Sequence, residues 1–189
     1  RAWAMGLLGN GLSDVHRQED ALVVQEAELS MLRRIGASEY NILVTQSNLA
    51  ITYENLGRLD EALRLKRDVY TGFLRLFGEE HANTLQAANN YAWGLLGARR
   101  FEEAKALMRK IIPVARRVSG DDHENTLRMR WIYEKTLYGA PGATLDDLRE
   151  AVTTLEEIER IARRVFGGAH PLTAWIEESL REARAALRA

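Results

Sequence analysis

The chain has 189 residues, 46% hydrophobic and 28% charged, with 3 Pro and no Cys, which excludes collagen-like, disulfide-stapled and wholly disordered classes. Lys+Arg 26 against Asp+Glu 27 leaves a net charge of −1, so no global positive excess argues for nucleic acid or an anionic membrane surface. No run of about 18 apolar residues occurs, so no membrane span is expected.

Residues 1–8 (RAWAMGLL) do not begin with Met and are too short and poorly bounded for a signal peptide. The sequence therefore reads as a fragment, and the cytoplasm is the expected compartment. Residues 4–9 (AMGLLG) resemble residues 92–97 (AWGLLG), which places a first helix there that begins before Ala4. Ala21 is the small residue of a second helix, and Gly36 ends it.

The next two stretches carry the register. Residues 48–62 (NLAITYENLGRLDEA) lie over residues 90–104 (NYAWGLLGARRFEEA) at an offset of 42, and Gly36, Gly78 and Gly120 share it, as do His81 with His123. Within 42–55 and 84–96, apolar and small residues recur at three- and four-residue spacing without Pro, the helical period. Second helices over 60–77 and 101–118 carry the stripes Ala62, Leu65, Val69, Phe73, Leu76 and Ala104, Leu107, Ile111, Ala115, Val118. Pro113 is expected to bend its helix or cost a hydrogen bond. Asp60 and Asp146 stand where a carboxylate can accept unpaired N–H groups, and the glycines after each second helix are expected to form left-handed C-caps.

The pattern returns at Glu150-Ala151, Gly167 and His170 after a shift of 47, and the five added residues fall in 139–144 (GAPGAT). Glu134 stands here where Ala50 and Ala92 stand in the regular units. Residues 172–189 have the phase of a first helix without a partner, and their Glu, Arg and Ala suit a solvating cap. The expected organisation is one repeat domain, 1–189, with units of approximately 1–41, 42–83, 84–125 and 126–171 and a capping helix over 172–189.

The N-L-A-x-x-Y, L-G-R-x-x-E-A and L-F-G-x-x-H-x-x-T elements resemble the long tetratricopeptide repeats of kinesin light chains. The usual period is about 34, and the extra residues amount to about one turn per helix. The resemblance implies an all-α fold, a right-handed α-solenoid of antiparallel helix pairs, whose first helices line a concave groove. By register the groove takes Val44, Ser47, Asn48, Ile51 and Asn55, then Gln86, Asn89, Asn90, Trp93 and Leu96, then Arg128, Trp131, Ile132, Lys135 and Tyr138. Asn and Gln side chains both donate to and accept from a peptide backbone, and Trp93, Trp131 and Tyr138 are anchors of the hot-spot type. Arg128 and Lys135 suit an acidic residue.

The expected function is a non-catalytic protein-interaction scaffold that holds a partner's peptide, with aromatic and acidic residues, in that groove. The alternatives are a structural subunit of a larger complex that uses the convex face or the ends, and the sensor or scaffold segment of a multidomain signalling protein. No nucleotide, hydrolase or zincin motif occurs and there is no thiol, so neither an enzyme nor a cofactor is expected. His81, His123 and His170 recur at one repeat corner, so they are expected to be structural and no metal site is expected. The pairs Arg33-Arg34, Arg116-Arg117 and Arg163-Arg164 complement helix C-termini, and nucleic acid is not an expected partner.

Overall fold

A computed structural model describes residues 17–188. The proposed first helix of the first unit, with residues 4–9, lies outside them. The described residues form eight helices and no strand: α1 (Gln18–Arg34), α2 (Glu39–Asn55), α3 (Leu59–Phe77), α4 (Ala82–Gly97), α5 (Phe101–Ser119), α6 (Glu124–Tyr138), α7 (Leu145–Phe166) and α8 (Pro171–Arg188). Within each compact unit, short connections force consecutive helices into antiparallel neighbours. Contacts divide the chain into two compact units, Arg1–Gly94 and Leu95–Ala189, with the boundary inside α4.

In the first unit α2 packs against α1 and α3. Ala21, Ala50, Ala62, Ala88 and Ala92 are fully or almost fully buried, and Leu29, Leu49, Val69 and Phe73 fill the space around them. The small residues let helix axes approach closely, and the larger ones interdigitate. The second unit repeats this scheme, with Ala104, Met108 and Ile111 on α5, Leu127 and Ile132 on α6, Ala151, Leu155 and Ile158 on α7, and Leu172 and Ile176 on α8. Glu178 and Arg181 on the outward side of α8 are exposed, so its outer face is charged. Helix α5 continues through Pro113, which lies on the exposed side. The donor it lacks leaves the Arg109 carbonyl on the water-facing side.

The repeat motifs have local causes. At the G-x-x-H corner the Nδ1 atoms of His81, His123 and His170 accept the backbone N–H groups of Asn83, Asn125 and Leu172 at 3.2, 3.2 and 3.3 Å. Each histidine thus caps a first helix, and His81 and His170 also stack on Phe77 and Phe166. The structural role expected for them is therefore N-capping. In the last corner the Thr173 hydroxyl closes the turn by donating to the Gly167 carbonyl at 2.9 Å.

The corner glycines depart from the expected left-handed cap. Among the four, only Gly36 shows its hydrogen-bond pattern, with Ala37 N–H reaching the Leu32 carbonyl at 2.9 Å. Gly78, Gly120 and Gly167 instead have φ of 81, 94 and 85° with ψ of 177, 165 and 166°, a region open essentially to glycine alone. The extended ψ carries the chain straight out of the helix towards the histidine cap.

Asp60 and Asp146 are not the caps either. The residue ahead of α3 is Arg58, whose side chain makes no cap. It instead binds Glu61 through Nε and Nη2 at 2.9 and 2.7 Å. Arg100 and Glu103 repeat the arrangement at 2.6 and 2.7 Å, which accounts for the R-x-x-E of the motif. The GAPGAT insertion gives α7 a true capping box, in which the Thr144 hydroxyl accepts the Asp147 N–H and the Asp147 carboxylate accepts the Thr144 N–H. Asp146 pairs with Arg149.

The hairpin turn between first and second helices holds a strained residue. Gly57 takes φ of 75° after α2, and the residue 42 positions on, Arg99, takes φ of 57°. Both positions carry the left-handed cap pattern, with Arg58 N–H on the Tyr53 carbonyl and Arg100 N–H on the Leu95 carbonyl, each at 2.8 Å. A Cβ there costs about 1 kcal/mol. Arg99→Gly is therefore expected to stabilise the protein by about 0.5–1 kcal/mol, reduced slightly by loss of the guanidinium contact to Phe101. The shift in urea midpoint measures it, and a destabilised variant would contradict this reading.

Candidate binding face on the first helices

In the first unit, α2 turns a mixed face outward. Val44 and Ile51 are 37% and 44% exposed, and Ser47 and Asn48 lie half-buried between them. Asn55 is exposed and its Nδ2 donates to Gln18 Oε1 at 3.3 Å. Positions 44, 47, 48, 51 and 55 recur at three- and four-residue spacing, so they share one stripe of the helix. Thr45, Leu49 and Thr52 are buried on the opposite side, and the Thr52 hydroxyl donates to Gln25 of α1 at 2.8 Å. That bond and the packing fix the rotation of α2, so the outward stripe is set by what is buried behind it.

On α4, Gln86 is exposed, Asn90 is half-buried and Asn89 is buried. Trp93 is 41% exposed. Asn89 shares the three- and four-residue stripe of Gln86, Asn90 and Trp93, as Ser47 does on α2, but is buried.

The corresponding residues of α6 are engaged within the second unit. Trp131 is only 6% exposed: its ring stacks on Trp175 of α8 at 5.7 Å, and its Nε1 donates to Ser179 Oγ at 2.8 Å. Lys135 Nζ lies 3.5 Å from Glu182 and over the rings of Trp131 and Tyr138. The Tyr138 hydroxyl donates to the same Glu182 at 2.8 Å, and burial pushes its pKa well up. Arg128 pairs with Glu124 at 3.1 Å and lies over Trp175. Ile132 is fully buried. Helix α8 therefore supplies this face with an aromatic ring and a carboxylate of its own.

A buried polar cluster lies on the other side of α6. Glu134 is 2% exposed and Arg130 4%, and Arg130 Nη2 reaches Glu157 of α7 at 3.0 Å. Among the described residues Arg130 Nη1 and Glu134 Oε2 have no hydrogen-bond partner. Burial first, then the nearby Glu150 charge, push the Glu134 carboxyl up to about 8. The replacement of alanine at 134 signals this in the sequence; its burial among other carboxylates does not. Among the described residues no three His, Asp or Glu side chains converge to hold a metal, and no helix is long and apolar enough to cross a membrane.

A tetratricopeptide repeat model matches residues 41–117, the segment that holds α2 to α5 and the two regular sequence units. This segment is similar to tetratricopeptide repeats. The all-α repeat fold extends over the chain. A Podosopora anserina protein described as a kinesin light chain with nearly identical TPR-like repeats superposes with a TM-score of 0.78 at 19% identity, covering 98% of this chain and 86% of that one. BtubC (BKLC) from P. vanneervenii gives 0.72 at 15% identity over 97% and 76% of the two chains. A Rap protein complexed with Competence and Sporulation Factor gives 0.64 at 18% identity, over 100% of this chain and 53% of the other. No curated protein matches in sequence. Within the matched segment α2 and α4 are the first helices and α3 and α5 the second, and the sequence register sets α6 and α8 with the former and α1 and α7 with the latter.

Proposed function

We propose that this chain is a non-catalytic protein-interaction scaffold whose ligand is a peptide segment of a partner protein, held on the outward stripe of α2 and continued by the polar residues of α4. The observation that carries this reading is the exposure of Val44 and Ile51 on either side of Ser47 and Asn48. Two apolar anchors flanking an amide suit a peptide whose side chains fill the apolar positions while its backbone is read by Asn48. The Rap protein with the same fold is complexed with Competence and Sporulation Factor, a precedent for ligand capture by this architecture.

An acidic ligand residue suits Arg128 or Lys135 less well, because Glu124 and Glu182 already hold them. The first-unit stripe therefore favours a partner segment that brings apolar or aromatic side chains. The experiment compares proteins captured from native lysate by the wild type and by the double variant Asn48→Ala, Ile51→Asp at equal helicity. Both positions leave the core intact, so loss of a dominant partner is expected. An unchanged capture list would contradict the proposal.

A further inference from the structure

The second-helix side of the first unit carries a separate cavity. Helices α1 and α3 flank a groove of about 460 Å³ floored by Leu29, Leu49 and Leu65. The floor belongs to the face opposite the Val44 and Ile51 stripe, since Leu49 is buried behind α2.

The charges on the rim are unequally committed. Glu26 accepts the Tyr53 hydroxyl at 2.6 Å, and Glu61 takes both nitrogens of Arg58. Neither rim arginine has a carboxylate within ion-pair distance among the described residues: Arg64 places Nε on the Asp60 carbonyl at 3.3 Å while its charge favours the ionised form of Glu61, and Arg33 lines the groove without an ion pair. Glu61 is thus neutralised by Arg58, Glu26 keeps its charge beside a neutral hydroxyl, and most of two guanidinium forks remain to be satisfied by solvent or ligand.

The second unit lacks this arrangement at the matching positions. Register by the small residues Ala21 and Ala104 sets Arg33 against Arg116, and Ala62 and Ala151 set Arg64 and Leu65 against Thr153 and Thr154. Arg116 is paired with Asp121 at 2.6 Å, and Tyr133 replaces Leu49 on the floor and accepts from Arg109 Nε at 3.1 Å. The apolar floor with two available arginines is a feature of the α1/α3 groove and not of the repeat as such.

We infer that the α1/α3 groove is a second docking site, which takes an acidic peptide segment of a partner by seating an apolar side chain on Leu29, Leu49 and Leu65 between carboxylates bound to Arg33 and Arg64. With Glu61 neutralised by Arg58, the two arginines outweigh Glu26 on the rim, and charge complementarity selects the occupant: a basic segment would meet two like charges, and a wholly apolar one would leave the forks to water.

The test uses two fluorescein-labelled heptapeptides, one alternating glutamate with leucine and phenylalanine and the other with lysine at each glutamate position. Anisotropy gives affinity, and amide shifts of the isotope-labelled protein locate the probe. Expected results are saturable binding of the acidic probe alone, shifts at Leu29, Leu49 and Leu65, and about tenfold weaker binding in Arg33→Ala, Arg64→Ala. Both arginines are exposed, and unchanged helicity of the variant verifies folding. Absent saturable binding, equal binding of the lysine probe, or an affinity unaffected by the double substitution would each overturn the inference. Shifts confined to Val44, Ser47 and Ile51 would do so as well, while leaving the α2 reading in place.

Discussion

Glu134→Gln is expected to stabilise the protein by about 3 kcal/mol at pH 7 and to change its stability little near pH 4. The carboxyl is buried on α6, one oxygen has no partner, and desolvation with Glu150 and Glu157 outweighs Arg130 and the Thr154 hydrogen bond, placing its titration at about 8 instead of the ordinary 4.5. At neutral pH the folded protein keeps the proton and the unfolded chain releases it, so the unfolded state is favoured. The folded value is the higher one. The stability that protonation confers is complete below about 4.5, is lost steadily as pH rises, and is fully lost above about 8. Glutamine keeps the shape without the ionisation. The check is urea unfolding of both proteins between pH 4 and 9, where the difference should widen up to about 8 and then level off. A difference independent of pH would mean that water reaches Glu134.

Trp131→Ala is expected to cost about 3–4 kcal/mol. The ring is 6% exposed, stacks on Trp175, and places its N–H on the buried Ser179 hydroxyl. Truncation opens a cavity between α6 and α8 and leaves that hydroxyl without its donor. Trp131→Phe keeps most of the aromatic contact and should cost about 1–2 kcal/mol. Thermal unfolding of the two variants measures both. If Trp131→Ala folds with wild-type stability, the indole is not a packing element and its place as a ligand anchor is restored.

These residues mark how far the sequence can be read. The helical spacing within 42–55 and 84–96, the small residues and the 42-residue register are local signals, and all eight described helices follow from them. The exposure of Val44 and Ile51 can be assigned by phase, because the buried side of α2 is set by its immediate neighbours. Trp131 is a different case. Its partners Trp175 and Ser179 lie more than 40 positions on, and register alone does not say whether a first-helix aromatic meets a ligand or the next first helix. The corner glycines are visible as helix ends, but their ψ depends on the histidine cap three residues later. Arg99 can be suspected from its alignment with Gly57; only its φ of 57° shows the strain.

Helix α8 occupies the face of α6 that is equivalent to the α2 stripe proposed for a partner segment. Photo-crosslinking distinguishes the two faces, with a benzoylphenylalanine placed at Ile51 in one protein and at Tyr138 in another, each exposed to native lysate. A discrete adduct with a partner is expected from position 51 and none from position 138. An adduct from 138 with none from 51 would contradict the α2 proposal.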